Sequence, residues 1–422
     1  MMWRDVQRMA AKRDEWRRGS IAIETAILLA ALLGFAALGT EIGMLLWTSR
    51  QMQTVADSAA YSAALARMRD YPANYAAEAT TLAAAAGFVN GQEGAAVDVY
   101  DPPKTGAYAG NADPVEVDIS EPQTLTLASL FKSGAWNLSA RSVALVEWND
   151  AACILALDPT AANAVYIKND AVVTTGNCAV AANSNAAGAL FLEQNAIING
   201  AVNVGGTWTL SNNAEINGSP KLEDAAPITD PYQGLALPSP LPACTGQNAS
   251  GGNGATLDLT PGNFCNGWSM GNDGTINLAA GTYYLAGGIN IGNNVTINGT
   301  AGVTIVITDS TALSIANNAS FTITAPDQSS GEPFPGIALM GLNTDENVTQ
   351  NFANNASFNI KGAVYFPHQI INFDNNAETQ PGGCTQIIGR IVNLANNVNI
   401  EANCSGVGTQ PLLYASGVKL VQ

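Results

Sequence analysis

Apolar and polar positions alternate in four different rhythms along this chain. From Ile21 to Trp47 the residues are almost all apolar, with the acids Glu24 and Glu41 near the two edges. A run of this length predicts a helix that crosses a bilayer, whose hydrocarbon core takes about 20 residues. Acids at its edges can reach the interface. From Thr48 to about Ala66 an Ala-rich segment continues the helix outward, and Tyr71-Pro72 breaks it. Asn74 to Phe88 reads as a second Ala-rich helix that stops at Asn90-Gly91. The period then shortens to two in Ala96-Val-Asp-Val-Tyr100 and Val115-Glu-Val-Asp-Ile119, with Leu125 to Leu130 and Leu138 to Val146 following, as half-buried strands require. A long N-terminal helix followed by a small sheet is an α+β plan.

Beyond residue 150 the rhythm becomes a repeat. Asn195-Ala-Ile-Ile-Asn-Gly, Asn213-Ala-Glu-Ile-Asn-Gly and Asn294-Val-Thr-Ile-Asn-Gly share one template. Asn318-Ala-Ser-Phe-Thr-Ile, Asn355-Ala-Ser-Phe-Asn-Ile and Asn397-Val-Asn-Ile are variants, and Asn177-Cys-Ala-Val, Asp273-Gly-Thr-Ile-Asn and Asn376-Ala-Glu-Thr extend the series. A period near 20 residues, with one short strand after each Asn, predicts a solenoid whose coils stack to bury a common apolar column. The uneven steps disfavour a left-handed hexapeptide helix and predict a right-handed parallel β-helix. Asn tolerates the left-handed backbone of a sharp turn. Stacked in register, Asn213, Asn294, Asn318, Asn355, Asn376 and Asn397 can form an amide ladder. The expected fold is therefore mainly β. Its parts are a basic leader (1–18), a transmembrane helix (19–47), a helix-plus-sheet unit (48–150) and a β-helix (151–422) with a Pro/Gly-rich loop insertion near 218–260.

Charge adds direction to this plan. Residues 1–18 carry six Lys/Arg against three Asp/Glu, a net of +3, while the remainder carries 11 against 31, a net of −20. The basic flank stays cytoplasmic and the bulk lies outside, in the periplasm or beyond the cell. So acidic a surface repels nucleic acid. All six cysteines lie beyond the apolar run, as disulfides in an oxidising compartment would. Neighbours in sequence suggest Cys153–Cys178, Cys244–Cys265 and Cys384–Cys404, one of fifteen connectivities.

Candidate chemistry is sparse. His368 is the only histidine and no Cys-x-x-Cys pair exists, which speaks against a zinc site of the usual kind. A polysaccharide lyase needs calcium carboxylates and a basic residue to take the proton. From residue 151 onward the basic side chains are only Lys168, Lys221, Lys361, Arg390 and Lys419. No paired carboxylates recur at coil spacing to serve hydrolysis. Asp374 and Glu378 follow His368 closely, where a turn-capping histidine is the simpler reading. No P-loop, dinucleotide fingerprint or nucleophile elbow appears. The chain is expected to be no enzyme and to need no cofactor or metal.

Gly19-Ser20, with Glu24 five places after the glycine, resembles a type IV prepilin processing site, although Thr25 stands where Flp-type prepilins usually place Tyr. Two readings stay open, cleavage after Gly19 or an uncut anchor. The segment from Glu41 through Arg50-Gln-Met-Gln and Ala56-Asp-Ser-Ala-Ala60 resembles the N-terminus of TadE/TadG-like proteins of tight-adherence (Flp) pilus assembly. The resemblance implies a non-enzymatic, single-pass protein of the bacterial inner membrane. Its partners would be other Tad/Flp assembly proteins or pilins, with lipid around residues 21–47. The rival readings are a pilus-borne adhesin or minor pilin released by processing, with a surface glycan as ligand of the β-helix, and a carbohydrate-active β-helix enzyme.

Overall fold

The structure is a computed structural model that describes residues 2–69, 74–125, 134–149, 152–247, 249–352, 354–379, 384–402 and 408–421. The chain forms two compact units. One comprises Met1–Arg67, Pro72–Val146 and Val418–Gln422, the other Met68–Tyr71 and Glu147–Gly417.

The first unit begins with helix α1 (Met2–Arg69). Between Ile27 and Trp47 it exposes Leu28, Leu29, Leu32, Leu33, Phe35, Met44 and Leu46. Past that point the pattern inverts, and Met52, Val55, Ala56, Ala59, Ala60, Ala63 and Ala64 are buried at the three- and four-residue spacing of a single helix face. A short helix α2 (Tyr75–Ala85) buries Ala79 and Ala83. Strands β1 (Ala96–Tyr100), β2 (Pro114–Gln123) and β3 (Trp136–Asn149) pair antiparallel in chain order. Of the expected strand at Leu125 to Leu130, residues 126–130 lie outside the described residues.

Val115, Val117 and Ile119 alternate into the core, while Glu116 and Asp118 take the opposite face. Glu116 is nevertheless fully buried there, held at 2.7 Å by Arg141. Burial pushes its carboxyl up, but the Arg141 and Thr105 hydrogen bonds outweigh this and hold it below the usual range. Arg67 closes the far end of the unit, 3.2 Å from Asp101 and donating to Asp113 O at 2.6 Å. The fourth strand of this sheet is Tyr414–Leu420, from the far end of the chain. Val421 N–H donates to Val143 O at 2.9 Å. The repeat pattern assigned everything from 151 to 422 to the solenoid, but this last strand instead pairs with the free edge of β3.

The second unit is a parallel β-solenoid of about 11 turns, and its coils are not stacked in chain order. The chain enters at Ala152–Ala156 and winds through Val172–Ala182 and Ile197–Val204 to Glu215–Ile216 and Lys221–Leu222. It then leaves the stack and restarts near Ser250–Gly251 and Thr256–Leu259. From there it winds back until Thr385–Ala395 and Asn399–Ala402 pair in parallel with the first coils it made. At this seam Ile387 aligns with Ile154, Val392 with Val165 and Asn399 with Val172. The end coils in space are thus the middle of the sequence.

The segment between the halves, expected as a loop, is a strap along the outside of one sheet. That sheet reads Ala-Cys-Ile-Leu-Ala, Val-Thr-Ile-Val-Ile and Ile-Ala-Leu-Met-Gly, buried at every position. Such fully buried, almost wholly apolar runs mark strands covered on both faces. Inward residues join the central column, and outward Leu155, Val306, Met340, Tyr365 and Ile388 lie in a second cluster with strap residues Ile228 and Tyr232. Hydrogen bonds fix the strap. Asn183 Nδ2 donates to Ile228 O at 2.9 Å, Ile228 N–H returns to Asn183 Oδ1 at 2.8 Å, and Tyr365 Oη donates to Asp230 at 2.8 Å. Cys244–Cys265 pins its far end to the coil that restarts the stack, and Cys153–Cys178 joins neighbouring coils of the first half. The third expected pair reaches Cys404, which lies outside the described residues.

Candidate functional site

Three features of the chain offer function, and each arises from a different local rule. The first is the exposed half of α1. Gly19 and Ser20 lie on this continuous helix, five and four residues before the exposed Glu24. A bilayer is the natural cover for ten or more large apolar side chains left bare on a helix of this length, among them Ile27, Leu32, Phe35 and Trp47. Helix α1 meets the length and composition needed to cross a membrane.

The second is the asparagine corner of the solenoid. Asn213, Asn294, Asn318, Asn355, Asn376 and Asn397 all have φ between 56° and 62°, the left-handed region that Asn accepts at little cost. Their amides bond along the stack. Asn213 donates to Asn195 at 3.4 Å, Asn294 to Asp273 at 2.8 Å, Asn318 to Asn294 at 3.1 Å and Asn376 to Asn355 at 2.8 Å. Asn397 contributes its backbone N–H, which donates to Asn169 O at 2.9 Å across the seam. In the first coil the turn residues are Asn169 and Asp170, both at positive φ, rather than Asn177, which lies within the strand Val172–Ala182. Asp170-Ala-Val-Val173 stacks on Asn195-Ala-Ile-Ile198 and fits the same template with Asp in place of Asn, a signal available in the sequence.

The third is a cleft of about 650 Å³ between the strap and a solenoid corner. Sequence reasoning missed it, because its lining comes from residues that are neighbours only after the halves meet. Each coil contributes from the corner that follows its strap-facing strand: Asn183, Asp158, Arg390, His368 and Glu346, in stacking order, with Asp230 from the strap opposite. Arg390 Nη1 lies 2.9 Å from Asp158 and its Nη2 donates to Glu346 O at 2.8 Å. Burial pushes the Asp158 carboxyl up, but the Thr160 and Ala161 N–H groups and Arg390 together hold it below the usual range. Burial, then the charge of Asp230, pushes the Tyr365 hydroxyl far up, so Tyr365 remains a hydrogen-bond donor. Asp374, which the sequence placed close to His368, belongs to the asparagine corner and accepts from Asn396 at 2.5 Å. Among the described residues no group of three or more His, Cys, Asp or Glu could hold a metal ion.

Together these features define a protein with a membrane-length N-terminal helix, a small α+β unit and a parallel β-solenoid. Residues 19–67 match the family model described as putative Flp pilus-assembly TadE/G-like. The match covers the whole exposed stretch of α1 and the buried stripe that follows it. No curated protein and no solved structure matches the chain.

Proposed function

We propose that this protein is a non-enzymatic, membrane-anchored component of Flp-type pilus assembly that holds its β-solenoid outside the cytoplasm. The TadE/G-like match over residues 19–67 carries the reading. The bare apolar half of α1 supports anchoring, and the net +3 of residues 1–18 supports a cytoplasmic N-terminus. The Cys153–Cys178 and Cys244–Cys265 disulfides support an oxidising compartment for the solenoid. Its partners in this reading are other Tad/Flp assembly proteins or pilins, which engage the helix and the small sheet, and the solenoid serves contact with proteins or surfaces.

The test is complementation in a host strain lacking the gene. The full chain is expected to restore pili, and a chain whose residues 19–67 are replaced by an unrelated single-span helix is expected to be inserted yet leave the cells bald. Restoration of pili by the replaced chain would sink the reading. Sequencing the mature N-terminus from the same cells separates the two anchor states. A start at Met1 or Met2 belongs to a permanent assembly component, and a start at Ser20 belongs to a processed minor pilin or adhesin.

A further inference from the structure

We propose that the cleft beneath the strap is a binding groove for an extended, neutral oligosaccharide. Its geometry is that of a groove for a chain rather than a pocket for a small molecule. Asn183, Asp158, Arg390, His368 and Glu346 come from five successive coils. Parallel strands repeat every 4.7–4.9 Å, so four steps span about 19 Å, roughly four pyranose units laid along the stack.

The chemistry of the walls selects the occupant. The half-buried Leu342 and Pro367 give an apolar surface on which a sugar's C–H face can rest. Around them stand hydrogen-bonding groups of both kinds: carboxylate acceptors at the exposed Glu346 and at Asp230, and the exposed His368, which can donate or accept, beside the paired Asp158 and Arg390. Polyols, which are donor and acceptor at each hydroxyl, are matched by such a mixture. Arg390 is already engaged with Asp158. That leaves the carboxylates in excess on a chain of net −17, so an anionic polymer is repelled. An extended peptide would bind by adding to a strand edge. The strands flanking this corner are instead paired on both sides, as Thr385–Ala395 is with Ser357–Phe373 and Ala152–Ala156. Glu346 and His368 are exposed, so their side chains are available without unfolding anything.

The test uses the purified full chain in detergent, titrated calorimetrically with cello-, chito- and manno-oligosaccharides of two to six units and, separately, with oligogalacturonates. The expected result is binding of at least one neutral series, strengthening with length up to about four units. In Glu346→Ala with His368→Ala it should weaken tenfold or more while the melting temperature stays unchanged. If that double variant misfolds, Gln233→Trp, which fills the groove from the exposed strap side, decides instead. No binding of any neutral series, binding of uronates alone, or wild-type affinity in the folded variant overturns the proposal. The experiment reads binding by the isolated protein, so its failure leaves the pilus-assembly reading to its own complementation test.

Discussion

At each asparagine corner, one side chain does two jobs that can be separated by substitution. Asn376 sits at φ 57° and donates to Asn355 at 2.8 Å. Alanine there loses the amide bond and takes on about 1–2 kcal/mol of left-handed backbone strain. Glycine loses the bond alone, at a surface site where a hydrogen bond contributes about 1 kcal/mol or less. Urea midpoints are therefore expected to fall further in Asn376→Ala than in Asn376→Gly. Equal falls would mean that the ladder, not the backbone, dominates.

The Asp158–Arg390 pair gives a pH signature at the same scale. Asp158 has its carboxyl held low in the fold, so its contribution is complete above the ordinary carboxylate pKa of about 4 and is lost as pH falls through the lower folded value. Arg390→Gln should destabilise the protein by about 1 kcal/mol at neutral pH. Its melting curve should converge on the wild type as pH falls through that lower folded value. A constant difference across that range would show that the pair does not supply the effect.

Among the elements, the strap is the one whose removal changes most. It follows a Pro-rich path that no periodicity betrays, and composition alone marks it as a loop. The outward apolar residues it covers were readable as five-residue apolar runs, but nothing local says what covers them. Cys244–Cys265 closes a sequence separation of 21, for which chain entropy assigns roughly 3 kcal/mol. Replacing both cysteines with serine should lower stability by up to that amount. Hydrogen exchange is expected to quicken between residues 223 and 265 while the coils from 296 to 373 stay protected. Uniform loss of protection would show that the strap and the stack unfold as one cooperative unit.

For the molecule as a whole, the repeat was legible because Asn at the turn and Ile, Val or Phe two to three residues on recur whatever the order of coils. The order itself was not, since pairing of residues 154–175 with residues 387–402 leaves no trace in local sequence. The same topology predicts a viable permutation. A chain running from residue 249 to 402, joined to 152 and ending at 222, has its coils in spatial order. It is expected to give the β circular dichroism of a solenoid. Because it lacks the strap, it should bare Val306, Met340, Tyr365 and Ile388 and bind more of a hydrophobic dye than residues 152–402 with the strap in place. An unfolded permutant would show that the strap is required to form the stack and does more than cover it.

The seam also sets a timetable for synthesis. Asn169 bonds to Asn396 across a sequence separation of 227 residues. At about 5–20 residues per second, a ribosome takes roughly 10–45 s to make that interval. Throughout it the first coils wait with Ile154, Val165 and Val172 on an unpaired strand edge, the kind of edge that recruits stray strands. The coils at the middle of the finished stack are therefore the ones left open to stray pairing during synthesis, and for longer than either end.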